Sequence, residues 1–275
     1  MQLIGKIWLC YGIISIVLTA FLVIIITTSH LFQQSFYRLI AIHLVIVIIS
    51  WINSWTSRIV YTRDYSFFAK ALFGHSPELF NFFMFCGLAF LHLQSCSSIV
   101  ICINKLRTAN PEKFEKRNQF WNRWCLLIYG VLLALSCLAA KYLAVLPTVH
   151  FWKDTGKFEF SVLSLGDAII NIFLVAVFLI LYILIGLICG LIAICKIRKH
   201  KKDHEDHVPS SVVTVSYTFF RVFCLALLLA SFFMQIENFT VQFMFTIFDF
   251  MSFSLTFILL FFDDNFKMAL KGSIK

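Results

Sequence analysis

Seven apolar helices packed side by side through a bilayer, an all-α membrane protein, is the fold this sequence predicts, and three observations predict it. Hydrophobic residues make up 60% of the 275 positions and charged residues 13%, with a mean hydropathy of +0.88, whereas soluble domains carry about a quarter charged residues. The apolar residues gather into seven runs, most of them near the roughly 20 residues a helix needs to cross a hydrocarbon core. Lysine and arginine collect on alternate connections, the pattern of a chain whose basic segments stay in the cytoplasm. Helix is the element because lipid offers backbone N–H and C=O groups no partner. No charged, Pro-rich or Gly/Ser-rich stretch is long enough to divide the chain into separate globular units, so residues 1–275 read as a single seven-transmembrane domain.

The runs are Ile7–Thr28, Leu39–Trp55, Leu79–Ile103, Trp124–Leu146, Ala168–Cys195, Val212–Ile236 and Val241–Phe262. The first follows Lys6 as a signal peptide would, but it is too long for an h-region and reads as a signal-anchor helix. The first, third and fifth contain no Asp, Glu, Lys or Arg. Arg221 interrupts the sixth and Asp249 the seventh, and so little chain separates these two that a single re-entrant hairpin is the alternative there. Beyond them, Asp263 or Asp264 suits the cap of a short helix in the tail 263–275, with Phe266, Ala269 and Leu270 on one face and Lys267, Lys271 and Lys275 repeating every four residues. Such a helix would lie on the inner leaflet, a frayed tail being the alternative.

Direction follows from charge. With the N-terminus outside, fifteen of the 23 Lys and Arg fall on the cytoplasmic side and six on the outer side, while Lys141 and Arg221 lie within spans. The net charge of +9 therefore marks orientation, and its short clusters lack the continuous basic face of a nucleic-acid binder. The nine cysteines all sit in or beside apolar runs and read as reduced, small apolar side chains. The sequon Asn238-Phe239-Thr240 falls in a loop placed outside, too short for easy glycosylation. His200, His204 and His207 have metal-site spacing but lie among Lys, Asp and Glu in a solvated loop, so no metal is expected there.

Local sequence points further. Ser35-Phe36-Tyr37-Arg38-Leu39, Ile52-Asn53-Ser54-Trp55, Ile103-Asn104-Lys105-Leu106, Pro111-Glu112-Lys113-Phe114-Glu115-Lys116 with Phe120-Trp121, and Phe261-Phe262-Asp263-Asp264-Asn265 together resemble the nematode serpentine receptors of class gamma, a chemoreceptor family. The likeness runs across nearly the whole chain. Lys105 stands where that family often has Arg, Asp-Arg-Tyr and Asn-Pro-x-x-Tyr are both missing, and the outer loop Pro147–Gly166 has no Cys to bridge to the third span. The resemblance implies a G-protein-coupled receptor for a small odorant or pheromone-like ligand, acting through a heterotrimeric G protein, in the plasma membrane or that of a sensory cilium, with no cofactor and no catalytic residue.

Polar groups inside a bilayer are costly, about 2.5–3.5 kcal/mol for a mid-span charge on insertion scales, so each needs a partner or a wet cavity. In the outer half they point to Asn53, Trp55, Lys141, Asn171 and Asp249 as ligand contacts, with His92 near the middle of the third span. Lys141 and Asp249, opposite charges at comparable depth, read either as a buried pair or as ligand contacts. His92 reads first as an interhelical hydrogen-bonding group, and Phe243, Phe245, Phe248 and Phe250 first as packing and then as an aromatic pocket. On the inner side, Arg221 either snorkels to the cytoplasm or locks span six to span three through Lys105. Asn104, Lys105, Arg107 and Lys199 belong to the expected G-protein face, although the positive-inside rule alone accounts for basic inner loops. A ligand-gated channel or transporter is the competing class; the near absence of Pro from the spans argues against the broken helices it would need. A membrane hydrolase ranks third, for want of facing nucleophile or metal-ligand groups.

Overall fold

The computed structural model describes residues 3–62, 77–108, 114–142, 149–152, 157–160, 164–200, 209–234 and 237–273. In chain order these form α1 (Leu3–Thr28), a 3-10 turn (His30–Phe32), α2 (Ser35–Thr62), α3 (Pro77–Thr108), α4 (Phe114–Tyr142), β1 (Val149–Trp152), β2 (Lys157–Phe160), α5 (Leu165–His200), α6 (Pro209–Met234), α7 (Glu237–Phe262) and α8 (Asp264–Ser273). The first seven helices are each long and apolar enough to cross a membrane.

The helices follow the apolar runs but overrun several of them. Helix α2 passes Trp55 to reach Thr62, with Thr56 and Arg58 buried against protein, and α3 passes Ile103 to reach Thr108, with Asn104 buried. Helix α4 starts ten residues before Trp124, with Glu115 in its first turn where the helix dipole favours an acid, and with Trp121 buried on its inner face. Helices α6 and α7 have 26 residues each, so two full helices form here and the re-entrant hairpin does not. Because α7 begins at Glu237, Asn238 of the sequon lies in the first turn of a helix and not in a loop. The connection between α4 and α5 carries an unexpected element: β1 and β2 pair antiparallel from Val149↔Phe160 to Trp152↔Lys157, and β1 lies against α3.

Helix α2 occupies the middle. It packs on α1, α3, α4 and α7, while α3 reaches α4, α5 and α6, and α7 closes the ring against α1 and α6. Along its most apolar stretch α2 is 67% buried, against 22% for α4 and α5, so those two present their outer faces to lipid. Leu126, Leu127 and Leu138 of α4 and Phe173, Ile188 and Leu191 of α5 are exposed, whereas His43, Ser97, Gln94, Thr19 and Arg221 are buried. Apolar outside and polar inside is the distribution lipid requires.

Small residues bring the helices close. A Cβ on Gly12 would lie 1.9 Å from the Trp51 ring, so α1 meets α2 there only as glycine. On α5, Gly186 and Gly190 form a Gly-x-x-x-Gly pair against α6; a Cβ on Gly186 would come within 2.8 Å of Val222. All nine cysteines are unbridged.

Candidate functional site

Three layers of buried polar groups cross the bundle, and α2 passes through all of them at Arg58, His43 and Tyr37. At 1.5 Å per residue, the first two are separated by about 22 Å and the last two by about 9 Å along the helix.

The first layer lies at the end of the bundle where α1 begins. Arg58 donates from Nη1 to Oδ2 of Asp249 at 2.9 Å and from Nη2 to Oδ1 at 2.5 Å, a two-pronged pair with only 1% and 2% of the side chains exposed. Its Nε donates to the Ser54 hydroxyl at 3.3 Å. Rings of Phe245, Trp8 and Trp55 stand 4.9, 5.0 and 5.5 Å from the guanidinium carbon, so the charge is held by π faces as well as by the carboxylate. Trp8 is itself fixed by its indole N–H donating to Thr246 at 3.1 Å. Beside this cage Asn53, nearly buried, donates to the Phe83 carbonyl at 2.9 Å and ties α2 to α3.

The middle layer is a chain of hydrogen bonds whose direction its ends determine. Tyr129 donates to the Leu39 carbonyl at 3.3 Å, so at 2.6 Å from it the Ser97 hydroxyl must be the donor. Ser97 then accepts from His43 Nδ1–H at 2.8 Å, which leaves His43 Nε2 to accept from the Tyr217 hydroxyl at 2.8 Å. Tyr217 in turn accepts from Arg221 Nη1 at 3.1 Å. Every hydroxyl passes on one proton, and His43 is neutral with its hydrogen on Nδ1. Helices α2, α3, α4 and α6 are joined by this chain, and Arg221 adds a bond to Ser95 of α3 at 3.2 Å. Nearby, His92 pairs through Nδ1 with the Tyr182 hydroxyl of α5 at 2.9 Å.

The third layer lies at the opposite end. Asp263 caps α8: its Oδ1 accepts from the backbone N–H groups of Asn265 and Phe266 at 3.0 and 3.4 Å, and its Oδ2 accepts from Tyr37 at 3.0 Å. Burial pushes the Asp263 carboxyl above the usual carboxylate range, against the opposing pull of these donors and of Lys105. Asn265 Nδ2 donates to the Tyr37 hydroxyl at 2.7 Å, and Phe266 packs on Phe32 with the rings tilted and centroids 4.6 Å apart. Across from them Asn104 donates to the Ser35 hydroxyl at 3.1 Å, Ser35 N–H donates to Asn118 at 2.7 Å, and the Lys105 ammonium sits 5.2 Å above the Phe36 ring.

A family model for Srg family chemoreceptors matches residues 6–270. The chain belongs to this family. Serpentine receptor class gamma-53 of Caenorhabditis elegans is 31% identical to it over 98% of this chain and 91% of the relative. It is thus a multi-pass membrane protein of a serpentine chemoreceptor family. The motifs that carry the resemblance to class gamma sit far apart in sequence, yet Tyr37, Asn104, Lys105, Asp263 and Asn265 converge in the third layer of this Srg protein.

Several sequence expectations for this Srg chain change on folding. Asp249 is paired with Arg58 and not with Lys141, which is exposed at the end of α4 with its ammonium 5.1 Å from the Tyr142 ring. Arg221 does not snorkel; only 3% of it is exposed. It does join α6 to α3, but through Ser95, while Lys105 works one layer away at Phe36. His92 makes the interhelical hydrogen bond expected of it. Arg107 is exposed, and its carbonyl accepts from the Arg117 guanidinium. Asn171 and Lys199 belong to α5, but their side chains lie outside those described, as do His204 and His207 of the discounted metal motif. Among the described residues no group of three metal-ligating side chains gathers. The expected cap of α8 is Asp263, and Phe266 is its buried face residue.

Arg58, His43, Ser97, Tyr129 and Tyr217 emerge only from the folded chain. For His43 the sequence does hold a signal, since an imidazole within Leu39–Ser50 is as costly in lipid as the other polar groups inside spans. Arg58 reads as a loop residue in the sequence because the apolar run stops at Trp55.

Proposed function

We propose that this Srg protein is a chemosensory receptor with its N-terminus outside the cell and its C-terminus in the cytoplasm. It lies in the plasma membrane, and in the sensory cilium of cells that have one. A small odorant or pheromone-like molecule binds in the outer half of the bundle, near Asn53, Trp55 and Asp249. A heterotrimeric G protein reads the change at the opposite end, around Asn104, Lys105, Arg107 and the basic loop after α5. One observation supports this reading most: α2 carries Arg58, His43 and Tyr37, one in each polar layer. A shift at the Arg58–Asp249 cage therefore has a stiff, buried element through which to reach the cap of α8.

Orientation is tested first. A tag at the N-terminus is expected to be labelled on intact cells and one at the C-terminus only after permeabilisation; both tags on one side would end the proposal.

Function is tested in cells expressing the full chain, screened against volatile and water-soluble small molecules with a second-messenger readout. An active compound is expected, and Trp55→Ala should raise its half-maximal concentration at least tenfold at matched surface level, about 1.4 kcal/mol of binding. A purified chain that leaves nucleotide exchange unchanged on every class of G protein, across the same panel, would refute the signalling role.

A further inference from the structure

Arg221 carries a charge that no carboxylate among the described residues balances. Its side chain is 3% exposed, at the middle of a membrane-crossing helix, and its partners are the hydroxyls of Tyr217 and Ser95. Among the described residues no carboxylate pairs with it, since the buried acid of α7, Asp249, is taken by Arg58. Its Nε–H has no hydrogen-bond partner. Arg221 lines a small cavity between α3, α5 and α6, together with Ser95, Ser98, Cys102, Tyr182 and Thr218.

The committed protons decide what that cavity offers. Ser95, Ser98 and Thr218 spend theirs on the carbonyls of Leu91, Ser95 and Thr214. With Thr218 committed, the Cys102 thiol 2.8 Å away donates to Thr218. One donor is left without a partner, Arg221 Nε–H, and the Tyr182 hydroxyl, which lines the same cavity, has only the Cys96 sulfur 3.9 Å away to take its proton once His92 Nδ1–H donates to it. A fixed positive charge with an unpartnered N–H, beside a hydroxyl and on a wall with no carboxylate, suits an anion. The space favours a small ion: the cavity, about 20 Å³, has room for one monatomic ion. Water would satisfy the Nε–H group but leave the charge unbalanced.

We propose that this cavity is a chloride site, in which one chloride accepts hydrogen bonds from Arg221 Nε–H and Tyr182 O–H and neutralises the guanidinium. The ion draws α3, α5 and α6 together at mid-bundle, where Gly186 lets α5 approach α6. This site is separate from the ligand region proposed above and stands or falls without it.

The test uses the full chain purified into lipid nanodiscs, with sodium chloride exchanged for sodium gluconate at constant ionic strength. The thermal unfolding midpoint is expected to rise with chloride and to saturate. Bromide should substitute for chloride, and gluconate, too large for the cavity, should not. Arg221→Gln should abolish the anion dependence, whatever its effect on the midpoint itself. Tyr182→Phe keeps the charge and removes one donor, so it should move half-saturation to roughly tenfold higher chloride, and it carries the test if Arg221→Gln fails to fold. A midpoint equal in chloride and gluconate overturns the site, as does a chloride response unchanged in Tyr182→Phe. Equal responses to bromide and gluconate would show an effect of bulk salt and overturn it too.

Discussion

Asp249→Ala is expected to remove about 3–5 kcal/mol of stability, the typical cost of stripping one partner from a buried ion pair. A folded protein has only about 5–15 kcal/mol to lose, so much of the chain should fail to reach the cell surface and the purified remainder should unfold at a lower temperature. The physical reason lies in Arg58. Only 1% of its side chain is exposed, and without Asp249 the guanidinium charge is left to the Ser54 hydroxyl and the rings of Trp8, Trp55 and Phe245. Cation–π attraction from three rings offsets some of the loss, at about 2 kcal/mol for a desolvated contact, but not a whole charge. The double variant Arg58→Leu/Asp249→Leu removes both charges and should recover most of the stability, because an apolar pair of similar volume is often neutral or better. Lys141→Ala serves as control: exposed at the end of α4, it should change stability by no more than about 0.5 kcal/mol. If Asp249→Ala and Lys141→Ala unfold alike, or if the double variant is no better than the single one, the pair is not what secures this end of the bundle.

That contrast also shows why the fold is legible in the sequence and much of the site is not. Seven helices follow from seven apolar runs because crossing a bilayer depends on length and mean hydropathy, which a linear pattern records. Pairing depends on azimuth, the direction a residue faces around its helix. Lys141 and Asp249 have suitable depths, yet Lys141 points outward from a peripheral helix and Asp249 points into the centre, where α2 continues beyond its apolar run and brings Arg58 round to it. The same difficulty explains Arg221: depth along α6 favours snorkelling, whereas Tyr217 one turn away and Ser95 across the groove hold the guanidinium inside. The α8 cap is legible because capping is local, needing only Asp263 and the N–H groups of Asn265 and Phe266. The β1–β2 hairpin has its signals as well, in the aromatic and β-branched residues of Val149–Trp152 and Lys157–Phe160 flanking Asp154-Thr155-Gly156.

Tyr217→Phe deletes a single oxygen, yet it should cost several times the stability lost with Tyr129→Phe. Tyr217 accepts from Arg221 Nη1 and donates to His43 Nε2, so losing its hydroxyl orphans a charged donor and a ring acceptor in the fully buried interior of the bundle. Each orphaned group costs about 1–3 kcal/mol, more where one is charged. Tyr129 stands at the other end, where its proton goes to the Leu39 carbonyl. Removing that hydroxyl frees only the Ser97 proton, and a serine on a helix readily turns it to the carbonyl one turn back, at a net cost of about 0.5–1.5 kcal/mol. Thermal unfolding of the two variants in the same detergent measures the difference directly. Tyr217→Phe combined with His43→Leu should cost less than the sum of the two single changes, because the ring acceptor orphaned by the first is removed by the second. Equal losses at the two tyrosines would mean that the chain has no charge-assisted end, and that Arg221 is satisfied without it.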